Sequence, residues 1–496
     1  MIRINNYRNK IIFITDLFFI ILSCFICYIL IPVVIGMKGI QLFIPHIITL
    51  LLCVSLCQYL LKTYVNIWRY AGYNGYVKIM TGVLSGFLLY FVINLIFFSQ
   101  KTSLIFSVIT CSLSILFMLL IRFSYGIYRM KFTRINKEFK VDDLLERDCV
   151  SFDKKEIDKF LHQKVIMVTG GGGSIGSELC RQIASSNPAQ LIIIDYYENN
   201  AYDIQQELLY EYKDGLNLAV EIASVQDRDK MNQLFQRYKP QIVFHAAAHK
   251  HVPFMEQCPE EAIKNNIFGT YNVVQAANQW NVEKFVLIST DKAVNPTSMM
   301  GASKRMCEMI IQSMKNISNS KYAAVRFGNV LGSSGSVIPL FKRQIEHGGP
   351  ITITDKRVER YFMTVSEAVQ LVLTAGTMAS HSEIYVLDMG KPVNILKLAE
   401  NLIRLLGYVP YSEIPIIEVG MRPGEKINEE LFMQEELVMT ENKKIFIEKQ
   451  KSMSPEEIEE KMEILRKALE TKDGSIIRQS LIKIVPSFMI NNNVTD

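Results

Sequence analysis

An α/β domain built on a parallel sheet, preceded by a bundle of four membrane-spanning helices, is the fold class that three observations predict. Apolar residues crowd into four long runs in the first quarter of the chain. A glycine-rich stretch, Thr169-Gly170-Gly171-Gly172-Gly173-Ser174-Ile175-Gly176, separates a short apolar run from a helical pattern. Beyond it, strand-like and helix-like segments alternate, the arrangement of a parallel sheet covered by helices.

The four runs cover roughly residues 11–31, 42–61, 79–98 and 104–121 of the 496. Each is near the ~20 residues that a helix needs to cross a ~30 Å hydrocarbon core. Buried helices of a soluble core are the alternative, but four successive runs almost free of charge favour spans. Asp16 is the one acid inside them, expected near an end where it reaches the interface. The first run is long and no small-residue cleavage site follows it, so it reads as a span and not as a signal peptide. Arg3, Arg8 and Lys10 precede the first run, and Lys62, Arg69 and Lys78 lie between the second and third. Arg122, Arg129, Lys131 and Arg134 follow the fourth, whereas the other two loops carry only Lys38 and Lys101. The positive-inside rule then places both ends, and the domain that follows, in the cytoplasm. Tyr64, Trp68, Tyr70, Tyr73 and Tyr76 suggest an interfacial aromatic belt on the same side.

The net charge of +5 mostly reflects these flanks and calls for no nucleic-acid partner. Five of the nine cysteines (Cys24, Cys27, Cys53, Cys57, Cys111) sit in the runs as small apolar residues, which agrees with a reducing compartment. Cys24 and Cys27 form a CxxC without a second pair or a nearby histidine, so neither a metal nor a redox site is expected. Residues 1–125 are thus assigned to the helices and 126–163 to a cytoplasmic linker, too short to bury a core of its own.

Val165-Ile166-Met167-Val168 is the first strand, and the glycine stretch opens a helix from Ile175 to Ile183. Strand, glycine turn and helix in that order form a dinucleotide-binding pattern. Gly170, Gly173 and Gly176 take the tight turn, the close approach to a pyrophosphate and the helix–strand packing position. The amides at the helix start, around Ser174 and Ile175, would hold the phosphates. Asp195 ends the second strand, Leu191–Asp195, where a ribose-binding acid is expected. A carboxylate there favours NAD over NADP, because it repels a 2′-phosphate.

A helix over Glu198–Tyr212 and strands over Leu218–Ile222 and Ile242–His245 follow. Ala246-Ala247-Ala248 after the fourth strand would let backbone come close to a cofactor. His249, Lys250 and His251 are candidate phosphate or hydroxyl binders, or solvated bases. The fifth strand, Lys284–Ser289, runs into Thr290-Asp291-Lys292, at the carboxyl edge of the sheet where such folds bind ligands. Met300-Gly301-Ala302-Ser303-Lys304 opens the next helix, with Met300 and Lys304 on one face. A Gly/Ser-rich loop, Arg326–Ser336, comes after the sixth strand. Arg360 and Arg422 are candidate phosphate clamps, because guanidinium forks match phosphate oxygens. Ser454-Pro455-Glu456-Glu457 is a capping box that starts a charged, structural helix. Residues 164–435 are assigned to the nucleotide-binding domain, with substrate elements mainly in 326–435, and 436–496 to a helical tail.

The TGxxGxxG stretch, the strand-end Ser289-Thr290 and the helix carrying Lys304 resemble the extended short-chain dehydrogenase/reductase family. Its Rossmann-fold members use a Tyr-x-x-x-Lys, but here Met300 stands in the tyrosine position, and a thioether cannot carry a proton. Thr290-Asp291-Lys292 together with Met300–Lys304 resembles one subgroup that shares this replacement. These are the membrane-bound nucleotide-sugar 4,6-dehydratases of bacterial capsule, O-antigen and protein-glycan synthesis, and the match is to configuration-retaining UDP-N-acetylglucosamine 4,6-dehydratases in particular. Further matches are His245–Pro253, Arg326-Phe327-Gly328-Asn329-Val330, Arg360-Tyr361-Phe362-Met363-Thr364 and Met421-Arg422-Pro423-Gly424-Glu425-Lys426. The linker has no room for the additional Rossmann-like region that long members of this subgroup carry.

The resemblance implies a hydro-lyase of the bacterial plasma membrane that acts on a UDP-sugar with a tightly bound NAD. Oxidation at C4 makes the C5 proton acidic. A base then removes that proton, an acid protonates the departing C6 hydroxyl, and the hydride returns to C6. Thr290 would bond the C4 hydroxyl, and Asp291 would be the acid, kept protonated by burial. Lys292 would be the C5 base, its pKa lowered by the like charge of Lys304, and Lys304 would also bind the nicotinamide ribose. Gly170, Gly173, Ser174, Ile175, Gly176, Asp195, Ala246 and Ala247 would complete the cofactor site. His249, Lys250, Asn329, Arg360, Arg422 and Glu425 would contact substrate. A homo-oligomer is expected. The residues alone leave open a C4 epimerase, which would want a tyrosine and no acid–base pair, and a non-catalytic membrane NAD-binding scaffold. Intact Thr290, Asp291, Lys292 and Lys304 argue against the scaffold.

Overall fold

The structure, a computed structural model, describes residues 5–30, 40–61, 73–97, 104–135, 154–433, 437–450 and 452–489. Arg3, Lys38, Lys62, Arg69 and Lys101, the belt residues Tyr64, Trp68 and Tyr70, and linker residues 136–153 with Cys149 lie outside the described residues. The chain divides into two compact units, Met1–Phe139 with Tyr411–Glu413 and Lys140–Pro410 with Ile414–Asp496.

Among the described residues the first unit contains four helices: α1 (Asn5–Leu30), α2 (Ile40–Leu60), α3 (Tyr73–Phe97) and α4 (Leu104–Ile135). Gly86 lets α2 and α3 close up, since a Cβ there would stand 2.5 Å from Val54 Cα. Polarity in this unit is inverted. Asp16, Ser23, Asn94, Thr110 and Ser114 are buried beside Ile20, Leu50 and Val83, while Phe18, Leu52, Leu88 and Ile96 point outward and are more than half exposed. His46 Nδ1 and the Tyr90 hydroxyl meet at 3.0 Å between α2 and α3. A hydrocarbon surrounding favours that distribution, because polar groups there must find partners inside the bundle. Asp16 departs from expectation: it is wholly buried and does not reach out from a helix end. The expectation of four spans is also narrowed. Among the described residues one segment, Met80–Phe97, is long and apolar enough to cross a membrane, and the apolar stretches of the other three helices are 10–17 residues.

The second unit is organised by one sheet. Strands β1 (Val165–Thr169), β2 (Gln190–Asp195), β3 (Leu218–Ile222), β4 (Ile242–His245), β5 (Lys284–Ile288), β6 (Lys321–Arg326) and β7 (Glu383–Leu387) run parallel. β8 (Leu437–Met439) and β9 (Ile445–Glu448) extend it antiparallel, giving the order β8-β9-β7-β6-β5-β4-β1-β2-β3. Alternate residues of the central strands feed two cores. Met167, Ile192, Val243, Phe285 and Tyr322 face one side, and Ile166, Ile193, Phe244, Val286 and Val325 the other. Both faces are covered, which is why these strands read as continuous apolar runs.

Helices α5 (Lys154–Leu161), α6 (Ser174–Ala184), α7 (Glu198–Tyr212), α8 (Arg228–Tyr238), α9 (Gly269–Gln279), α10 (Met299–Ser313), α11 (Val365–Met378), α12 (Pro455–Glu470) and α13 (Gly474–Ile484) supply that cover. The limits of α7, β3 and β4 agree with the sequence. The stretch 436–496 is more than a helical tail, because β8 and β9 complete the sheet and Ile458, Met462 and Leu465 of α12 join the core. Ser454 and Glu457 form the expected capping box. The linker too is partly absorbed: α4 continues to Ile135, and α5 buries Ile157 and Leu161 in the core of the second unit.

Candidate active site

Strand order reverses between β1 and β4, and the glycine stretch forms the turn at that point. Gly170 has φ +70°, and a Cβ on it would lie 2.6 Å from Ala247 N; on Gly176 it would lie 2.0 Å from Gly170 O. Gly173 is less confined, with 3.3 Å to the same carbonyl. Ala246 N donates to Thr169 O, so the start of the alanine run backs this turn. Gly173 opens α6 without a side-chain cap, which leaves the amides of Ser174 and Ile175 at the positive end of the helix for a ligand. Asp195 accepts from Gly172 N at 2.8 Å and from Tyr197 N at 2.9 Å, tying the end of β2 to the turn. Ser334 N donates to Ser174 Oγ (3.1 Å) and Lys250 Nζ donates to Ser334 O (2.9 Å), so the Gly/Ser loop after β6 is strapped to α6. Blocked Cβ positions, an uncapped helix start and an acid at the end of β2 together fit a dinucleotide.

Behind the turn, His245 bonds Thr169 Oγ1 (2.6 Å) and Thr270 Oγ1 (3.0 Å). Burial, with Lys304 nearby, pushes its pKa down to about 3. Lys304 is itself buried on α10, and burial holds it below the usual lysine range despite Cys307 and Glu308. Glu308, one turn on, is committed to Ser289, Arg305 and Arg326. Met300 is 3% exposed and belongs to the apolar core. Asn266 grips His249 through its backbone N–H and C=O.

The second part of the site begins where β5 ends. Thr290 caps a 3₁₀ turn, Asp291–Ala293, that turns Asp291 fully inward. Asp291 Oδ1 accepts from Thr290 Oγ1 (2.8 Å) and from Lys292 Nζ (3.0 Å), while Asp291 Oδ2 is buried without a hydrogen-bond partner. Lys292 also reaches Asn329 Oδ1 at 3.4 Å and Glu429 Oε1 at 3.5 Å. A cleft of about 150 Å³ opens beside it, lined among others by Ser298, Arg360, Arg422, Glu425 and Glu429.

Several expected roles change in this geometry. Lys292 does not have a lowered pKa. Burial alone would lower it, but Asp291 and Glu429 together outweigh burial and hold it above the ordinary lysine value, and Lys304 is not among the groups that act on it. Arg360 lines the cleft but is held by the protein itself: Nη1 donates to Glu359 O and Ile427 O, and Nη2 to Lys426 O and Glu425 Oε1, so most of its donors bind the 425–429 segment. Glu425 is spent on the same task, with Thr354 as a further donor. Asn329 bonds Lys292, and Lys250 turns to the Gly/Ser loop and does not line the cleft. Arg422 does line the cleft and is exposed.

Two features escaped the sequence reading. Glu429 lies four residues past Glu425, and the polar triplet Asn428-Glu429-Glu430 ahead of Leu431 was the available signal. The other is a fully buried triad. Arg326 pairs with Glu308 (2.8 Å) and Glu448 (2.8 Å) between β6, α10 and β9.

Parallel sheet, glycine turn at the switch point and Lys304 on the following helix define the class, a Rossmann-like short-chain dehydrogenase/reductase. Residues 166–450 match the family described as polysaccharide biosynthesis protein, and the chain belongs to that family. It is 53% identical over 301 residues to the probable polysaccharide biosynthesis protein EpsC of Bacillus subtilis, covering 61% of this chain and 50% of that one. This chain therefore spans about half the length of that relative. UDP-glucose 4-epimerase of Rickettsia canadensis is 34% identical over 285 residues, covering 56% of this chain and 80% of that protein. UDP-N-acetylglucosamine 4,6-dehydratase (inverting) of Campylobacter jejuni is 31% identical over 283 residues, with coverage of 56% and 80%. The X-ray structure of Pen from Bacillus thuringiensis superposes with a TM-score of 0.53 at 34% identity, over 60% of this chain and 88% of that one.

Proposed function

We propose that this protein is a membrane-anchored, NAD-dependent nucleotide-sugar 4,6-dehydratase, acting on UDP-N-acetylglucosamine with retention at C5 and feeding polysaccharide or glycan synthesis. The observation that carries the reading is the 3.0 Å hydrogen bond from Lys292 to a buried Asp291 at the end of β5, beside a helix whose Met300 cannot move a proton. A dehydratase relative and the family support it.

Bound NAD would take a hydride from C4 and return it at C6. The proton work falls to the chain. Shifting one proton from Lys292 Nζ to Asp291 Oδ1 creates a neutral amine and a protonated carboxyl together, the base and acid that a C5/C6 elimination needs. The amine takes the C5 proton and the carboxyl protonates the departing hydroxyl, which leaves as water. The C4 hydroxyl proton leaves with the oxidation, before Asp291 has delivered its own, so it passes to solvent, and the Lys292–Asp291 pair takes one proton back from solvent at the end of the cycle. Thr290, whose hydroxyl donates to Asp291, would bond the C4 hydroxyl. Lys292 then returns its proton to C5 from the face it came from, which is retention. Gly170, Gly173, Ser174, Ile175, Gly176, Ala246, Ala247 and Lys304 would hold the cofactor, and Asp195 would select NAD over NADP. Arg422 would meet the diphosphate. The first unit, apolar outward and polar inward, would anchor a homo-oligomer in the plasma membrane with the second unit cytoplasmic.

A C4 epimerase is the second reading, favoured by the Rickettsia relative. One experiment separates the two. Purified protein is incubated with UDP-N-acetylglucosamine in heavy water, and the sugar is followed by mass and NMR. The expected product has lost one water, is a 4-keto-6-deoxy sugar, and carries deuterium at C5. Unchanged mass without C5 deuterium would overturn the dehydratase, and an L-arabino product would overturn retention alone.

A further inference from the structure

Glu429 has no task in the scheme above, yet it is 8% exposed and lines the cleft. Its two oxygens differ. Oε1 lies 3.5 Å from Lys292 Nζ and 3.8 Å from Arg360 Nε, whereas Oε2 is buried and has no hydrogen-bond partner. An orphaned buried carboxylate oxygen is destabilising unless something that binds there supplies a donor. Asp291 shows the same division, with Oδ1 taken by Thr290 and Lys292 and Oδ2 bare. Arg360 does not satisfy Oε2, because its terminal nitrogens are spent on carbonyls and Glu425. Lys292 thus stands between two carboxylates from segments more than a hundred residues apart, each with one oxygen left over.

We propose that Glu429 is a positioning residue, whose Oε1 holds Lys292 beside Asp291 and whose Oε2 accepts a hydrogen bond from a hydroxyl or amide N–H of the bound sugar. This rests on the nucleotide-sugar reading of the site. In the free protein Asp291 and Glu429 hold the Lys292 proton in place, opposed by Arg360; the Asn329 carbonyl oxygen also faces it. A sugar donor on Oε2 withdraws part of the Glu429 charge from Lys292. The shift of that proton to Asp291 then becomes easier, so the substrate itself releases the base.

Glu429→Gln keeps the shape and one acceptor oxygen but removes the charge. Its kcat and KM for UDP-N-acetylglucosamine are measured against pH, with copurified NAD as the check on folding. KM should rise about tenfold with loss of a charged acceptor. The descending limb of kcat/KM, where the pair loses its one proton, should move to lower pH, because removing a negative neighbour favours the neutral amine. Glu429→Asp, which keeps the charge on a shorter arm, should restore the limb while KM stays raised. A limb that does not move in Glu429→Gln overturns the proposal. If Glu429→Gln loses its NAD, Glu429→Asp decides, and a wild-type KM there overturns it. A wild-type protein that removes no water from the sugar refutes the dehydratase instead; the tenfold loss of affinity, read by calorimetry, then still decides Glu429.

Discussion

Gly170, Gly176 and Ala247 meet through backbone atoms at distances that exclude a Cβ, whereas Asp291, Lys292, Arg360 and Glu429 meet through charged side chains carried from distant segments. The first region is a turn with its polar groups largely satisfied: Asp195 holds Gly172, and His245 sits neutral between two threonines. The second leaves two buried carboxylate oxygens without partners. A rigid cradle suits a group that stays bound through each turnover. An incompletely satisfied cleft suits one that must enter, react and leave. The difference teaches where substitutions should separate binding from chemistry.

The largest effect is expected at the acid–base pair. Lys292→Ala and Asp291→Asn should each lower turnover about 10²–10⁴-fold while NAD content stays that of the wild type. Loss of NAD in either variant would mean that the two regions are not independent.

Next comes the buried triad of Arg326, Glu308 and Glu448. Arg326→Met strands Glu308 and Glu448 in the core and should cost about 3–5 kcal/mol in chemical denaturation. Glu308 is buried, which opposes ionisation, but Arg326 outweighs this and holds its pKa at about 2 against an ordinary 4.5. Its contribution is therefore complete above pH 4.5 and declines as pH falls toward 2. Arg326→Met should flatten that acid limb of stability, and an unaltered limb would assign it to other carboxylates.

On the cofactor side, Gly176→Ala forces a methyl against Gly170 O and should weaken NAD retention by about 1–3 kcal/mol, read from NAD released on gel filtration. Sugar–nucleotide affinity should hold if the cradle is separate from the cleft. On the cleft side the two arginines should part company. Arg422→Ala should raise KM about tenfold, in line with one lost charged hydrogen bond, and leave the melting temperature alone. Arg360→Ala should lower the melting temperature, because it unties the 425–429 segment. Equal effects on KM would return Arg360 to the substrate.

The smallest effect is expected at Met300. Met300→Leu conserves volume in a packed core and should cost less than about 1.5 kcal/mol with near-normal turnover. A loss matching that of Lys292→Ala would show that the thioether does more than fill space.

The glycine turn, Asp195, the alternation of strands and helices and the Asp291-Lys292 pair were legible in the chain, because each is set by neighbours a few residues away: φ at Gly170, short continuous apolar runs in β1 to β5, a strand end followed by a capped turn. The limits of α7, β3 and β4 followed for the same reason. What Lys292 meets did not. Glu429 is brought to it by the turn after Arg422 and by Arg360, which binds that segment's carbonyls, and neither contact leaves a periodic trace in sequence. The direction of the Lys292 shift follows from Asp291 and Glu429 together outweighing burial, and only the first of these two acids is its neighbour in the chain. Arg360 carries a guanidinium fork that suits phosphate and backbone carbonyls equally well, and only the fold shows the carbonyls of Ile427 and Lys426 that it holds. Local backbone geometry is encoded locally; the charge that a side chain feels is the sum over whatever the fold brings within a few ångströms.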